Sequence, residues 1–79
     1  MISVKLTGQF MKLAPEGSEK GVFKVDYSAG TTLSELLARY GVDCTGVKYT
    51  ALVNNGRKQA DYVLEDSDSV TVMPLLAGG

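Results

Sequence analysis

Few residues in this chain of 79 could do chemistry unaided. Histidine is absent, which removes the side chain most often used as a general base near neutral pH. Cys44 is the single cysteine, so the chain cannot build a disulfide, an iron–sulfur cluster or a Cys/His zinc site. With no second Cys and no His to work with, Cys44 reads as a small packed side chain rather than a sulfur-handling group. Asp61, Glu65, Asp66 and Asp68 lack the spacing of a calcium loop and read as a solvated acidic turn. Arg57 and Lys58 read as solvated charges, and Tyr27, Tyr40, Tyr49 and Tyr62 as core or core-edge residues. What remains is the end of the sequence, Leu75-Leu76-Ala77-Gly78-Gly79, where two residues without side chains precede a carboxylate. Alone, that pair describes an ordinary frayed terminus.

Eight Lys and Arg stand against nine Asp and Glu, a formal net charge of −1. No basic surplus is available to neutralise phosphates, so no nucleic-acid partner is expected. A hydrophobic fraction of 44% with 22% charged residues fits one small folded domain and not a disordered chain. Ala51-Leu52-Val53 and Met73 to Ala77 are the longest apolar runs, far short of the ~18 residues that a membrane helix needs. Met1 to Lys5 alternates like a strand instead of opening as a targeting segment. The expectation is a soluble, cytoplasmic protein with no membrane partner.

The elements that would position the tail can be read in order. Ile2, Val4 and Leu6 alternate with Ser3, Lys5 and Thr7, the pattern of a half-buried strand. A polar stretch from Met11 to Lys20 reads as a long hairpin loop before a second strand on Phe23, Val25 and Tyr27. Thr32-Leu33-Ser34-Glu35 fits a capping box, with the Thr hydroxyl and the Glu carboxylate satisfying amides at the helix start. Leu33, Leu36, Leu37 and Tyr40 follow at helical spacing, and Gly41 stands where a left-handed cap belongs. Beyond an irregular segment, Thr50 to Asn54 reads as a strand ending in the tight turn Asn54-Asn55-Gly56. A short strand is expected over Gln59 to Leu64, and a last one from Ser69 to Met73, where Pro74 ends regular pairing. One helix lying across clustered strands makes the domain α+β. The expected core is Ile2, Val4, Leu6, Phe23, Val25, Leu33, Leu36, Leu37, Leu52, Val53, Leu64, Val70 and Val72.

Four landmarks now stand in order: Leu52-Val53-Asn54-Asn55-Gly56, then Leu64-Glu65-Asp66-Ser67-Asp68-Ser69-Val70, then Met73-Pro74, then Gly78-Gly79. In type and spacing they resemble the small sulfur carriers of the β-grasp, ubiquitin-like group: the molybdopterin synthase small subunit and the thiamine-pathway sulfur carrier. The match is densest over the last 30 or so residues. Ser67 departs from it where the family often has Gly, and Leu75 where many molybdopterin synthase small subunits carry a second Pro. The resemblance implies a β-grasp domain over residues 1–73, with a mixed sheet of four to five strands and one main helix packed across it. Residues 74–79 would form an extended, flexible tail.

The resemblance also implies a carrier and not an enzyme. In such proteins an activating adenylyltransferase uses ATP to adenylate the terminal carboxylate, here that of Gly79, and sulfur then displaces AMP to leave a thiocarboxylate. The carrier itself binds no cofactor. A carboxylate is a poor electrophile until its oxygen becomes a good leaving group, so activation takes place in the partner's active site. Gly78 and Gly79, without Cβ atoms, suit a narrow channel. Pro74 to Gly79 reach about 20 Å at ~3.3–3.6 Å per residue. Pro74, Leu75, Leu76, Ala77 and Gly78 would thread, the chain is expected to end at Gly79, and Met73 would dock on the partner. Some of the carboxylates between Asp61 and Asp68 would meet a basic rim there. The length and the long first loop favour molybdenum or tungsten cofactor synthesis, with the molybdopterin synthase large subunit as acceptor. The alternatives are thiamine thiazole synthesis through thiazole synthase, and a ubiquitin-like modifier joined to lysine side chains.

Overall fold

The strand alternation at the start of the chain does form a strand, β1 (Ile2–Leu6), with Ile2, Val4 and Leu6 buried on one face. It belongs to a computed structural model that describes residues 1–75. β2 (Val22–Val25) returns antiparallel to β1, and α1 (Leu33–Arg39) then crosses the sheet. β3 (Tyr49–Val53), β4 (Gly56–Arg57) and β5 (Ser69–Pro74) complete a five-stranded sheet in the order β2-β1-β5-β3-β4. β1 and β5 are parallel at its centre and every other pair is antiparallel. This is the mixed sheet with one main helix expected of a β-grasp fold.

Helix α1 is only seven residues long, too short to persist alone. Leu33, Leu36 and Leu37 hold it by burial against the sheet, about 1.5–3 kcal/mol for each fully buried leucine. Thr32 caps it as expected, accepting the Glu35 N–H through its hydroxyl oxygen at 3.2 Å. The Glu35 carboxylate, however, accepts from that same hydroxyl at 3.2 Å. Gly41 follows the helix at φ 75°, the left-handed conformation its position called for.

Several expectations need correction. No strand forms over Gln59 to Leu64; only Val63 bridges to Thr32, and the hairpin partner of β3, on the side away from β5, is the two-residue β4, reached through Asn54 and Asn55 at φ 52° and 69°. Two consecutive left-handed residues make the tight hairpin turn of the primed type. The first loop is not wholly irregular: Gly8–Leu13 forms a 3₁₀ helix that buries Phe10, whose ring meets Tyr49 edge-on with centroids 5.9 Å apart. Phe10, Val42 and Ala51 join the core, whereas Phe23 and Val25 are only half-buried against it. Leu52 is half-buried on the opposite face, because consecutive strand residues cannot point the same way and Ala51 and Val53 take the inner side. Cys44 is exposed rather than packed, lying in a second 3₁₀ turn (Val42–Thr45). Tyr27 is 40% exposed, beyond the end of β2, while Tyr40, Tyr49 and Tyr62 do pack against the core.

The acidic turn closes with Asp68 N–H donating to the Glu65 carbonyl at 3.2 Å, which places Ser67 at φ 72°. A side chain in that region carries a steric penalty that glycine escapes, offset in part by glycine's larger unfolded-state entropy. Ser67→Gly is therefore expected to stabilise the domain by about 0.5–1 kcal/mol, read as a higher urea midpoint at unchanged slope. An unchanged or lower midpoint would show that the Ser67 side chain supplies something the backbone argument omits.

Candidate functional site

β5 is the central strand of the sheet and the last element of the described residues. Val70 and Val72 point into the core, and Ser69, Thr71 and Met73 alternate onto the outer face away from α1. Met73 lies half-buried there opposite Thr50, with Ser69 and Thr71 as its neighbours along the strand.

Pairing does not stop at Met73. Opposite β3, the residues that exchange backbone hydrogen bonds are Thr71 and Met73, whereas Pro74, paired with Tyr49, turns its nitrogen toward the β1 side. There the position facing Pro74 is Gly8, already in the 3₁₀ helix, so the missing N–H breaks no ladder bond. Gly8 has φ 58°, and a Cβ on it would lie 2.7 Å from Pro74 Cγ; the proline ring uses the space that a side chain would fill. Leu75 N–H then donates to the Lys48 carbonyl at 2.9 Å. The Val72 carbonyl is held by both the N–H and the hydroxyl of Thr7, at 3.0 and 2.9 Å. The exit of the chain is thus fixed on both sides of the strand.

Leu75 emerges 46% exposed, so it does not fold back into the core. It borders a groove of about 370 Å³ between α1 and β3, floored by Leu33, Leu37 and Ala51, with Arg57 and Lys58 at its edge. Lys58 Nζ sits 5.2 Å from the Tyr62 ring centroid, so this charge is solvated but not idle. Leu76, Ala77, Gly78 and Gly79, the remaining expected tail residues, lie outside the described residues.

The outer face of the sheet was not singled out by the sequence. Its register gives one unbroken cross-strand row, Val22–Lys5–Thr71–Leu52–Arg57, running from β2 to β4. Lys24 and Ser3 pair beside it, and Met73 and Thr50 lie on the side nearest the chain exit. The signal was available: in β1 and β2, Lys5 and Lys24 occupy the phase opposite to the core residues.

The acidic turn behaves differently from a uniformly solvated loop. Asp61, Glu65 and Asp66 are exposed, but Asp68 is buried at 4% exposure. Its carboxylate accepts the Asn54 amide at 2.9 Å and the Glu65 N–H at 2.8 Å, while the Asn54 carbonyl oxygen accepts Ser69 N–H at 3.0 Å. Burial raises the Tyr62 hydroxyl above its usual pKa, helped by the negative charges of Asp68 and Glu65. The Asp66 carboxyl is held below its usual range, chiefly by the hydrogen bond from the Met1 ammonium at 2.6 Å. Among the described residues, no group of three or more His, Cys, Asp or Glu side chains is placed to hold a metal ion, and no helix is long and apolar enough to cross a membrane.

Strand order, helix placement and exit define the architectural class, a ubiquitin-like β-grasp. Solved structures agree. SAMP1 from Haloferax volcanii superposes with a TM-score of 0.74 over 99% of this chain and 98% of that one, at 16% identity. A protein from Pyrococcus furiosus assigned as molybdopterin converting factor, subunit 1, gives 0.73 over 92% and 94%, at 20% identity. A further structure of the H. volcanii small archaeal modifier protein 1 gives 0.71 over 92% and 94%, at 16% identity. At such identities the likeness speaks to the fold. No protein-family model matches the chain, and no curated protein sequence does.

Proposed function

We propose that this chain is a sulfur carrier, not an enzyme, and that the Gly79 carboxylate is its reactive group. A carboxylate oxygen attacks the α-phosphate of ATP within an activating adenylyltransferase, releasing pyrophosphate and forming the acyl-adenylate. Hydrosulfide, or an equivalent sulfur nucleophile, then displaces AMP and leaves the thiocarboxylate. The observation that supports this most is the exit itself: the central strand delivers Leu75 to the surface, held by Lys48 and Thr7, with Leu76-Ala77-Gly78-Gly79 still to follow. A rigid exit followed by side-chain-poor residues suits insertion into another protein's active site. The destination we favour is molybdopterin synthesis, with the synthase large subunit as acceptor. The length of 79 residues and the long first loop support that choice, and the fold shared with the P. furiosus subunit is compatible with it.

Intact-mass spectrometry after incubation with the activating enzyme, ATP, Mg²⁺ and sulfide is expected to show a product about 16 Da heavier, oxygen replaced by sulfur. A mass unchanged under conditions where ATP is consumed would remove the sulfur-carrier reading.

A second reading, a protein modifier, is favoured by the likeness to small archaeal modifier protein 1. Conjugate ladders in cell extract that disappear when Gly79 is deleted would support it.

A further inference from the structure

We infer that Gly8 is a positioning residue for the terminal chemistry: with Pro74 it forms a lock that sets the direction in which the chain leaves the sheet. The inference rests on the carrier reading and names the part of the fold that aims the tail. It starts from a difference among the glycines. Gly17, Gly30, Gly41 and Gly46 all adopt positive φ, and a Cβ on any of them would meet nothing within 4 Å. Turn geometry alone accounts for those four. Gly21 lies against the Leu6 carbonyl, across its own hairpin. Gly8 is different: the atoms its Cβ would meet are Cγ and Cδ of Pro74, at 2.7 and 3.0 Å, one residue before the exposed Leu75. Gly8 is itself exposed, so core packing does not exclude a side chain there; the Pro74 ring does, in addition to the backbone at φ 58°.

The proline is gripped by a closed circuit of contacts. Pro74 pairs with Tyr49 of β3, the Tyr49 ring meets Phe10 edge-on, and Phe10 is buried within the 3₁₀ helix that Gly8 opens. The Thr7 carbonyl, just ahead of Gly8, accepts the Phe10 N–H at 3.1 Å and closes the first turn of that helix. Gly8, Phe10, Tyr49 and Pro74 therefore surround the point where pairing with β1 has ended.

A methyl group on Gly8 shows what the circuit controls. It would stand about 0.7 Å inside ordinary carbon–carbon contact with Pro74 Cγ. A pyrrolidine ring, closed onto its own backbone nitrogen, cannot swing aside as a flexible side chain would. Nor can the 3₁₀ helix retreat without lifting Phe10 out of the core. The displacement falls on Pro74 and Leu75, and the first bond it strains is that from Leu75 N–H to the Lys48 carbonyl. Any error there is passed on to a carboxylate four residues further along, in a reaction where ~1 Å of misplacement can cost about a hundredfold.

The test combines hydrogen exchange of the Leu75 amide with steady-state ATP–pyrophosphate exchange by the activating enzyme of the same cells, the full-length chain being the varied substrate. Gly8→Ala is expected to speed hydrogen exchange at Leu75 about 10-fold or more. It should also lower kcat about 10- to 100-fold with KM within about threefold. Gly41→Ala is the control, since it imposes left-handed strain in open space and should lower the melting temperature without moving either readout. P74A removes the Cγ and Cδ that the new methyl would meet, so G8A/P74A is expected to return kcat to within about threefold of P74A alone. That rescue separates a lock from a merely structural glycine, whose loss no change at position 74 would restore. Should Gly8→Ala fail to fold, recovery of folding in G8A/P74A would identify the same clash, and a double variant that stays unfolded would overturn the lock. Wild-type kcat in Gly8→Ala, or a fall in Gly41→Ala as large as in Gly8→Ala, would overturn the lock and leave the carrier reading intact. No pyrophosphate exchange with the wild type would overturn both.

Discussion

Deletion of Gly79 is expected to reduce thiocarboxylate formation to background while leaving the melting temperature unchanged. The two halves of this result come from different places. Stability is assigned to the described residues: among them the core runs from Ile2 to Val72, and the last backbone hydrogen bond joins Leu75 to Lys48. Reactivity, on the carrier reading, resides in a single carboxylate whose distance from the rigid exit is set by the number of intervening residues. Removing one residue draws that carboxylate back by ~3.3–3.6 Å, roughly the whole separation between reacting atoms in a productive geometry. A more selective variant is Gly78→Val, which retains the length but adds a branched side chain. We expect it to lower the adenylation rate by about 10²- to 10³-fold, since a misplacement of ~1 Å can already cost about a hundredfold. Exchange assays and intact mass read the first half of the result, and thermal melting reads the second. A Gly79 deletion that still accepts sulfur at wild-type rate would move the reactive group elsewhere in the chain.

What could be read from the residues depended on whether local pattern or tertiary placement decided each one. β1 was legible because Ile2, Val4 and Leu6 keep strict alternation, and α1 because a cap, a leucine stripe and a glycine stop all agree. β4 was not, since two residues carry no periodicity and Arg57 gains strand character only from its pairing with Leu52. Phe10 stands beside Met11, Leu13 and Ala14 with no strand or helix periodicity to single it out, and its ring packs edge-on against Tyr49, 39 positions further on. Pro74 was read as a stop because a proline lacks a donor; whether that donor is needed depends on which neighbour it would face. The cations of the outer face were visible one at a time, but their common row required the register of all five strands.

Asp68 is the clearest case of a residue whose role the sequence disguised, and it carries the largest expected effect on stability. In an acidic run it looks solvated, yet its buried carboxylate is the shared acceptor for Asn54 Nδ2 and the Glu65 N–H. Through Asn54, whose Oδ1 takes the Ser69 N–H, it locks the turn after β3 to the start of β5. The Asp68 carbonyl also accepts Ser3 N–H at 3.0 Å, tying in β1. Two of the landmarks behind the family resemblance, Asn54 and Asp68, therefore set the geometry from which the last strand departs. Asp68→Ala strands two donors, each costing about 1–3 kcal/mol where water cannot reach it, for an expected loss of about 2–4 kcal/mol. For a domain this small, that amounts to a fall of roughly 10–25 °C in Tm. Asp68→Asn is a sharper probe because it keeps the shape. Whichever way its amide turns, its NH2 meets a donor, either Glu65 N–H or Asn54 Nδ2. Asn54 cannot turn to accommodate it without setting its own NH2 against Ser69 N–H. The isosteric change should thus cost nearly as much as the truncation, with urea unfolding as the measurement. If Asp68→Asn unfolds at the wild-type midpoint, the carboxylate is not the keystone of this junction, and the fixed exit of β5 must be attributed to Thr7 and Lys48 alone.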